Sequence, residues 1–264
     1  MNNFKKILAI LLYTSLALSS TMSKVDLIDA SENPPKGGKT EFGAKDGLRF
    51  VKSNGLPKHK IGKFPNKYSP HEIKEQKHFF QLPLNPKLSK KITKLGKGNF
   101  FGISMTGIPF MAHSNKFKKG REYEALSKNI NLGLDQNHAH VDKKGIYHFH
   151  GLPTALLMIY GLTEGSESPI IGWAADGFAI YALYGKDGNK VKSSYMLKKG
   201  KRSDGSNYDG TFTTDYTFVK GIGDLDECNG MRFNGKYAYF LTNEFPFIPR
   251  CFKGTPHASF MYKN

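Results

Sequence analysis

The chain has 264 residues with 39% hydrophobic and 13% aromatic content, which excludes a disordered polymer, while 28 Gly and 13 Pro argue against a helical bundle. Two cysteines exclude a disulfide-dense scaffold and a four-cysteine zinc site. The formal charge of +17 is carried by 34 Lys and 5 Arg and is concentrated in residues 24–120, which hold 20 basic against 7 acidic residues. Lysine makes a hydrated surface, whereas arginine suits bidentate phosphate recognition. The charge therefore points to loose affinity for an anionic envelope rather than to specific nucleic-acid binding.

The first residues, Met1 to Leu18, place Lys5 and Lys6 before a dozen mostly apolar residues, followed by small residues around Ser19 to Ser23. This is the pattern of a secretory signal peptide over residues 1–23, too short to span a bilayer, with no later apolar run long enough to do so. The expected location is the periplasm or the extracellular space. Residues 24–44 read as a flexible Lys/Gly/Pro-rich segment and residues 45–262 as one domain.

Residues 79–84 and 100–111 read as strands, residues 121–129 as a short helix, and Thr154 to Leu162 as a second helix led by Pro153. Short aromatic segments then alternate with Gly-rich turns: 170–181, 190–198, 211–219 and 236–242. The fold class is mainly β, a sandwich-like or partly closed barrel of short antiparallel strands with a few short helices. There is also a short internal echo. Gly145-Ile-Tyr-His-Phe-His150 resembles Gly235-Lys-Tyr-Ala-Tyr-Phe240, with Ala238 and Phe240 standing where His148 and His150 stand in the first segment.

The chemistry concentrates in residues 138–150, where two His-Xaa-His units flank Asp142-Lys-Lys-Gly145. Asp at the first position of a type I turn and Gly in the left-handed position after it predict a three-residue hairpin. In that register His140 faces His148 and His138 faces His150. Period-two alternation then puts all four imidazoles on one face and Ala139, Val141, Tyr147 and Phe149 on the other, core-forming face. Opposed Cβ atoms about 5 Å apart let imidazoles share an ion. Imidazole donors suit a divalent transition metal, Zn or Cu ahead of Fe or Ni. Asp176, Asp226 and Glu227 are candidate outer partners, with Asp224 beside them.

Other catalytic templates are missing. The sequence has no Gly-Xaa-Ser-Xaa-Gly, Walker loop or His-Glu-Xaa-Xaa-His motif, and Asp224 to Gly230 lacks the EF-hand spacing. In an exported protein Cys228 and Cys251 are expected to pair. The site is compatible with a metal-binding protein, with a hydrolase that uses a metal-bound water, or with a structural domain that contacts a polysaccharide or envelope surface.

Five ordered segments, Asp135-Gln-Asn-His-Ala-His140, Tyr147-His-Phe-His-Gly-Leu-Pro-Thr154, Ala175-Asp-Gly-Phe-Ala-Ile-Tyr181, Gly223-Asp-Leu-Asp-Glu-Cys-Asn-Gly230 and Phe245-Pro-Phe-Ile-Pro-Arg-Cys-Phe-Lys-Gly254, together resemble the YHYH protein family. Phe149 stands where the name-giving Tyr-His-Tyr-His motif has its second Tyr. The resemblance runs from about Ser53 to Pro256 and implies one domain in an exported bacterial protein, without assigning a mechanism.

Overall fold

A computed structural model describes residues 33–261. The expected signal peptide lies outside the described residues. The strands in chain order are β1 (Thr40–Lys45), β2 (Leu48–Ser53), β3 (His78–Pro83), β4 (Thr93–Lys94), β5 (Gly102–Ser104), β6 (Pro109–Phe110), β7 (Phe117–Lys118), β8 (Arg121–Glu122) and β9 (Ala139–Val141). They continue with β10 (Tyr147–Phe149), β11 (Gly172–Ala174), β12 (Ala179–Ala182), β13 (Tyr195–Leu197), β14 (Tyr216–Phe218), β15 (Gly230–Phe233), β16 (Lys236–Leu241) and β17 (Cys251–Phe252). One α-helix, α1 (Thr154–Ile159), follows Pro153 and stops at Gly161, whose left-handed backbone lets Gly161 and Leu162 donate back to Met158 and Leu157.

The fold is mainly β, built of many short strands, and no barrel closes among the described residues. An eight-stranded sheet has the order β15-β16-β12-β11-β5-β6-β10-β9, and β1-β2-β3 form a separate antiparallel sheet. Two strand pairs, β6 with β10 and β12 with β16, are parallel rather than antiparallel. Each joins strands separated by a long excursion, as a parallel pair requires.

Several sequence expectations are corrected. Residues 100–111 and 170–181 are not single strands but tight hairpins, because Gly107 and Gly177 adopt positive φ and turn the chain. Residues 121–129 form no helix: Tyr123 bridges to Phe212, and Glu122 and Glu124 are buried to meet His113 and Arg250. The segment expected to be flexible already carries β1, since Thr40 to Lys45 pair residue for residue with β2.

The large sheet has an approximate twofold repeat about the central antiparallel pair β5/β11. Gly102 to Ala112 and Gly172 to Ala182 occupy equivalent places, and their hydrogen bonds match: Met105 N donates to Ile171 O as Ala175 N donates to Phe101 O, both at 2.9 Å. Each hairpin is then flanked by a second one. In the first half Asp135 caps the turn into β9 and accepts the Tyr147 hydroxyl; in the second Asp226 caps the turn into β15 and accepts the Tyr237 hydroxyl. His138 and Asn229, at matching places, both have positive φ. The echo seen in the sequence is thus part of a larger structural repeat, in which His140, His148 and His150 correspond to Met231, Ala238 and Phe240. In the second half that place is filled by a small apolar cluster with Val191, Leu225 and Phe233.

Cys228 and Cys251 form a disulfide that ties the turn before β15 to β17. No helix among the described residues is long and apolar enough to cross a membrane.

Candidate metal centre

The β9–β10 hairpin has the register its turn dictates. Asp142 N pairs with Ile146 O, Gly145 has positive φ, and His140 stands opposite His148. Ala139, Val141, Tyr147 and Phe149 are fully buried on the core face. Tyr147 is locked there by its 2.7 Å hydrogen bond to Asp135, and the His59 ring lies over Phe149.

The opposite face carries His140, His148 and His150. Nε2 of His150 lies 3.1 Å from Nε2 of His148 and 3.2 Å from Nε2 of His140. Four-coordinate zinc, with metal–nitrogen bonds of about 2.0–2.1 Å, sets its ligand nitrogens about 3.3–3.4 Å apart, so three imidazoles at this spacing could hold one ion. The face was expected to turn away from the core, but His148 and His150 are only 1% and 2% exposed. The chain segments around Ser69, Ser114 and Leu132 roof it and leave a cavity of about 730 Å3 that also meets Met111, Lys97, Lys116 and Lys143.

Hydrogen bonding fixes two of the three tautomers. Nδ1–H of His140 donates to Leu132 O at 2.8 Å, and Nδ1–H of His148 donates to Ile146 O at 3.0 Å. A carbonyl can only accept, so in the neutral rings both Nε2 atoms are lone pairs. His150 Nε2 has at most one proton to give, and it touches both. At least one nitrogen–nitrogen contact therefore sets lone pair against lone pair. Nδ1 of His150 is itself buried without a well-formed hydrogen bond, the Met111 backbone being its near neighbour. Extra protons do not resolve the shortfall. Burial, with His148 nearby, lowers the His140 pKa to about 3; burial lowers His148; and burial with both neighbours holds His150 well below the usual range.

His138 is not brought into this group. Its φ of 52° breaks the strand alternation, and its Nδ1–H donates to Leu152 O at 2.9 Å, at the loop that leads into α1. The outer carboxylates also lie elsewhere. Asp176 is buried against the Tyr239 hydroxyl and Gly254 N, Asp226 caps the second-half turn, and Glu227 pairs with Lys253 at 2.7 Å. All three serve the second half of the repeat, and among the described residues no carboxylate or thiol joins the three imidazoles. Asp224 caps Lys192 N. Lys143 belongs to the hairpin turn, whereas Met111, Lys97 and Lys116 were not legible from local spacing, since they come from the end of a neighbouring strand and from two loops.

A sequence profile described as YHYH protein matches residues 79–254. No curated protein and no solved structure is significantly similar to the chain. The matched span contains both halves of the repeat, the hairpin histidines and both cysteines, and the chain belongs to the YHYH family.

Proposed function

We propose that this is an exported metal-binding protein in which His140, His148 and His150 hold one transition-metal ion, zinc or copper ahead of iron or nickel. The observation that carries the reading is the proton shortfall among the three buried Nε2 atoms: a cation accepts all three lone pairs at once, and no tautomer of the neutral rings does. Fixed Nδ1 donors are also what a metal-binding histidine uses to hold its ring in place. Export is supported by the signal-like N-terminus and by the disulfide, which suits an oxidising periplasm or extracellular medium.

A second reading, a hydrolase that uses a metal-bound water, is favoured by one feature. The three imidazoles open on a cavity of about 730 Å3, and among the described residues no fourth histidine, carboxylate or thiol groups with them, which leaves a coordination position for water or substrate.

Elemental analysis of protein purified from its native compartment tests the first reading, with one metal ion per chain expected. His148→Ala is expected to lose most of it, and His257→Ala, whose ring bonds only its own turn, to retain it. Full metal content in His148→Ala overturns the assignment. A saturable hydrolytic rate that disappears with the metal selects the second reading, and tight stoichiometric metal without turnover selects storage or delivery.

A further inference from the structure

We propose that Met111 supplies a thioether ligand to the ion held by His140, His148 and His150, and that this makes the site selective for copper, Cu(I) above all, over zinc. The inference rests on the three-histidine reading above and names the metal that site takes.

Position comes first. Met111 directly follows β6, and its N–H donates to Phe149 O at 2.9 Å. Phe110 and Phe149 are partners in the parallel β6/β10 pair, so the next residues, Met111 and His150, stand side by side and project from the same face. The second half of the repeat shows what this placement does. Its equivalents, Tyr181 and Phe240, are register partners whose rings stack with centroids 5.6 Å apart. In that half the side chain at the place equivalent to Met111 leans on the one equivalent to His150.

Met111 is 4% exposed and bounds the same cavity as the three histidines. Its sulfur is engaged by a polar group rather than wrapped in hydrocarbon: Asn115 Nδ2 donates to Sδ at 3.6 Å, and Asn115 is itself part of the cavity wall. Met111 and the polar group that holds its sulfur thus both belong to the wall of the site.

Donor chemistry then selects the metal. Three imidazoles and a thioether form an uncharged set, and no carboxylate or thiolate among the described residues joins it. The acid nearest in sequence, Asp142, is occupied by the hairpin turn, where its Oδ1 accepts from Lys144 N and Ile146 N. Lys97, Lys116 and Lys143 line the cavity against one carboxylate, Asp142, so the lining is net positive. A neutral donor set in cationic surroundings is least costly for a monovalent ion, and a soft thioether favours Cu(I), while zinc is satisfied by nitrogen and oxygen donors.

The test loads the full-length mature protein with Cu(I) and, separately, with Zn(II), and measures each affinity by chelator competition in the wild type and in Met111→Leu. Leucine conserves volume, so the fold is expected to persist. Removal of a direct ligand is expected to weaken Cu(I) by about tenfold or more and to change Zn(II) much less. X-ray absorption of the copper-loaded wild type is expected to show one sulfur scatterer, absent from the variant. A copper shell of nitrogen and oxygen alone in the wild type, or equal Cu(I) affinity in the two proteins, overturns the role of Met111 and leaves the three-histidine site standing. Failure of the wild type to bind either metal overturns both.

Discussion

His138 and His140 are two residues apart and carry the same side chain, yet only one faces the cluster. The difference lies in a single backbone dihedral. At φ 52° His138 leaves the strand alternation and spends its ring on Leu152 O, while His140 keeps the extended backbone and aims Nε2 at His150. His138→Asn is therefore expected to keep full metal content and to change stability by no more than about 1 kcal/mol, because Asn tolerates the left-handed region and Asn229 holds the matching place. Metal analysis and a urea titration check this, and loss of the metal would return His138 to the ligand set. The hairpin register was legible because Asp142 and Gly145 specify the turn. The exclusion of His138 was not, since a positive φ at a non-glycine is set by the capped turn around Asp135 rather than by the residue itself.

At the scale of elements, each hairpin of the repeat is held by a Tyr–Asp lock. Tyr147 donates to Asp135 at 2.7 Å with both groups fully buried, and Tyr237 donates to Asp226 at 3.1 Å with both partly exposed. Tyr147→Phe is expected to cost about 1.5–3 kcal/mol, the range for a hydrogen bond to a charged group, and Tyr237→Phe less because water replaces the lost donor. Paired denaturation curves measure the two, and equal losses would contradict the burial difference. The Tyr of the family motif thus faces the core, while its His residues face the site. The disulfide acts at the same scale. Cys228 and Cys251 close a loop of 23 residues, and reduction is expected to cost about 3–4 kcal/mol on the chain-entropy account. Thiol labelling of the unreduced, unfolded protein is expected to find no free thiol. The pairing followed from the count of two cysteines together with the expected export. The two parallel strand pairs were illegible, because nothing in a short apolar segment records which distant strand lies beside it.

Across the whole molecule the repeat separates chemistry from packing. One half directs three imidazoles into a cavity; the other fills the equivalent place with Met231, Ala238 and Phe240 beside Val191, Leu225 and Phe233. The sequence echo marked the exchange of His148 and His150 for Ala238 and Phe240, but it was too short to reveal the shared strand order, which rests on pairing between strands distant in sequence, such as Phe149 with Phe110, Ala179 with Ala238 and Trp173 with Ile103.

The histidines outside the hairpin give the molecule a pH dependence whose sign is fixed. Burial lowers His59 and His78 to about 4, from about 6.5 in an unfolded chain. Above pH 6.5 both states are neutral at these rings, and they contribute no slope. As pH falls from 6.5 toward 4 the unfolded state takes up protons that the folded state refuses, so stability is lost across that window. Together these two rings are expected to remove about 2 kcal/mol between pH 6 and pH 5 in metal-free protein, and His140, lowered to about 3 by burial, adds to the loss. With metal bound the protein is expected to resist until the ion leaves, because a bound ion stabilises the folded state and protons compete for the same nitrogens. Urea midpoints measured against pH, with and without a chelator, separate the two terms. Burial raises the Glu124, Asp135 and Asp176 carboxyls, which act in the opposite sense, so the histidine share is the difference between the wild type and His59→Gln. Equal pH slopes in the two proteins would show that the ring is not held buried and neutral in the folded protein.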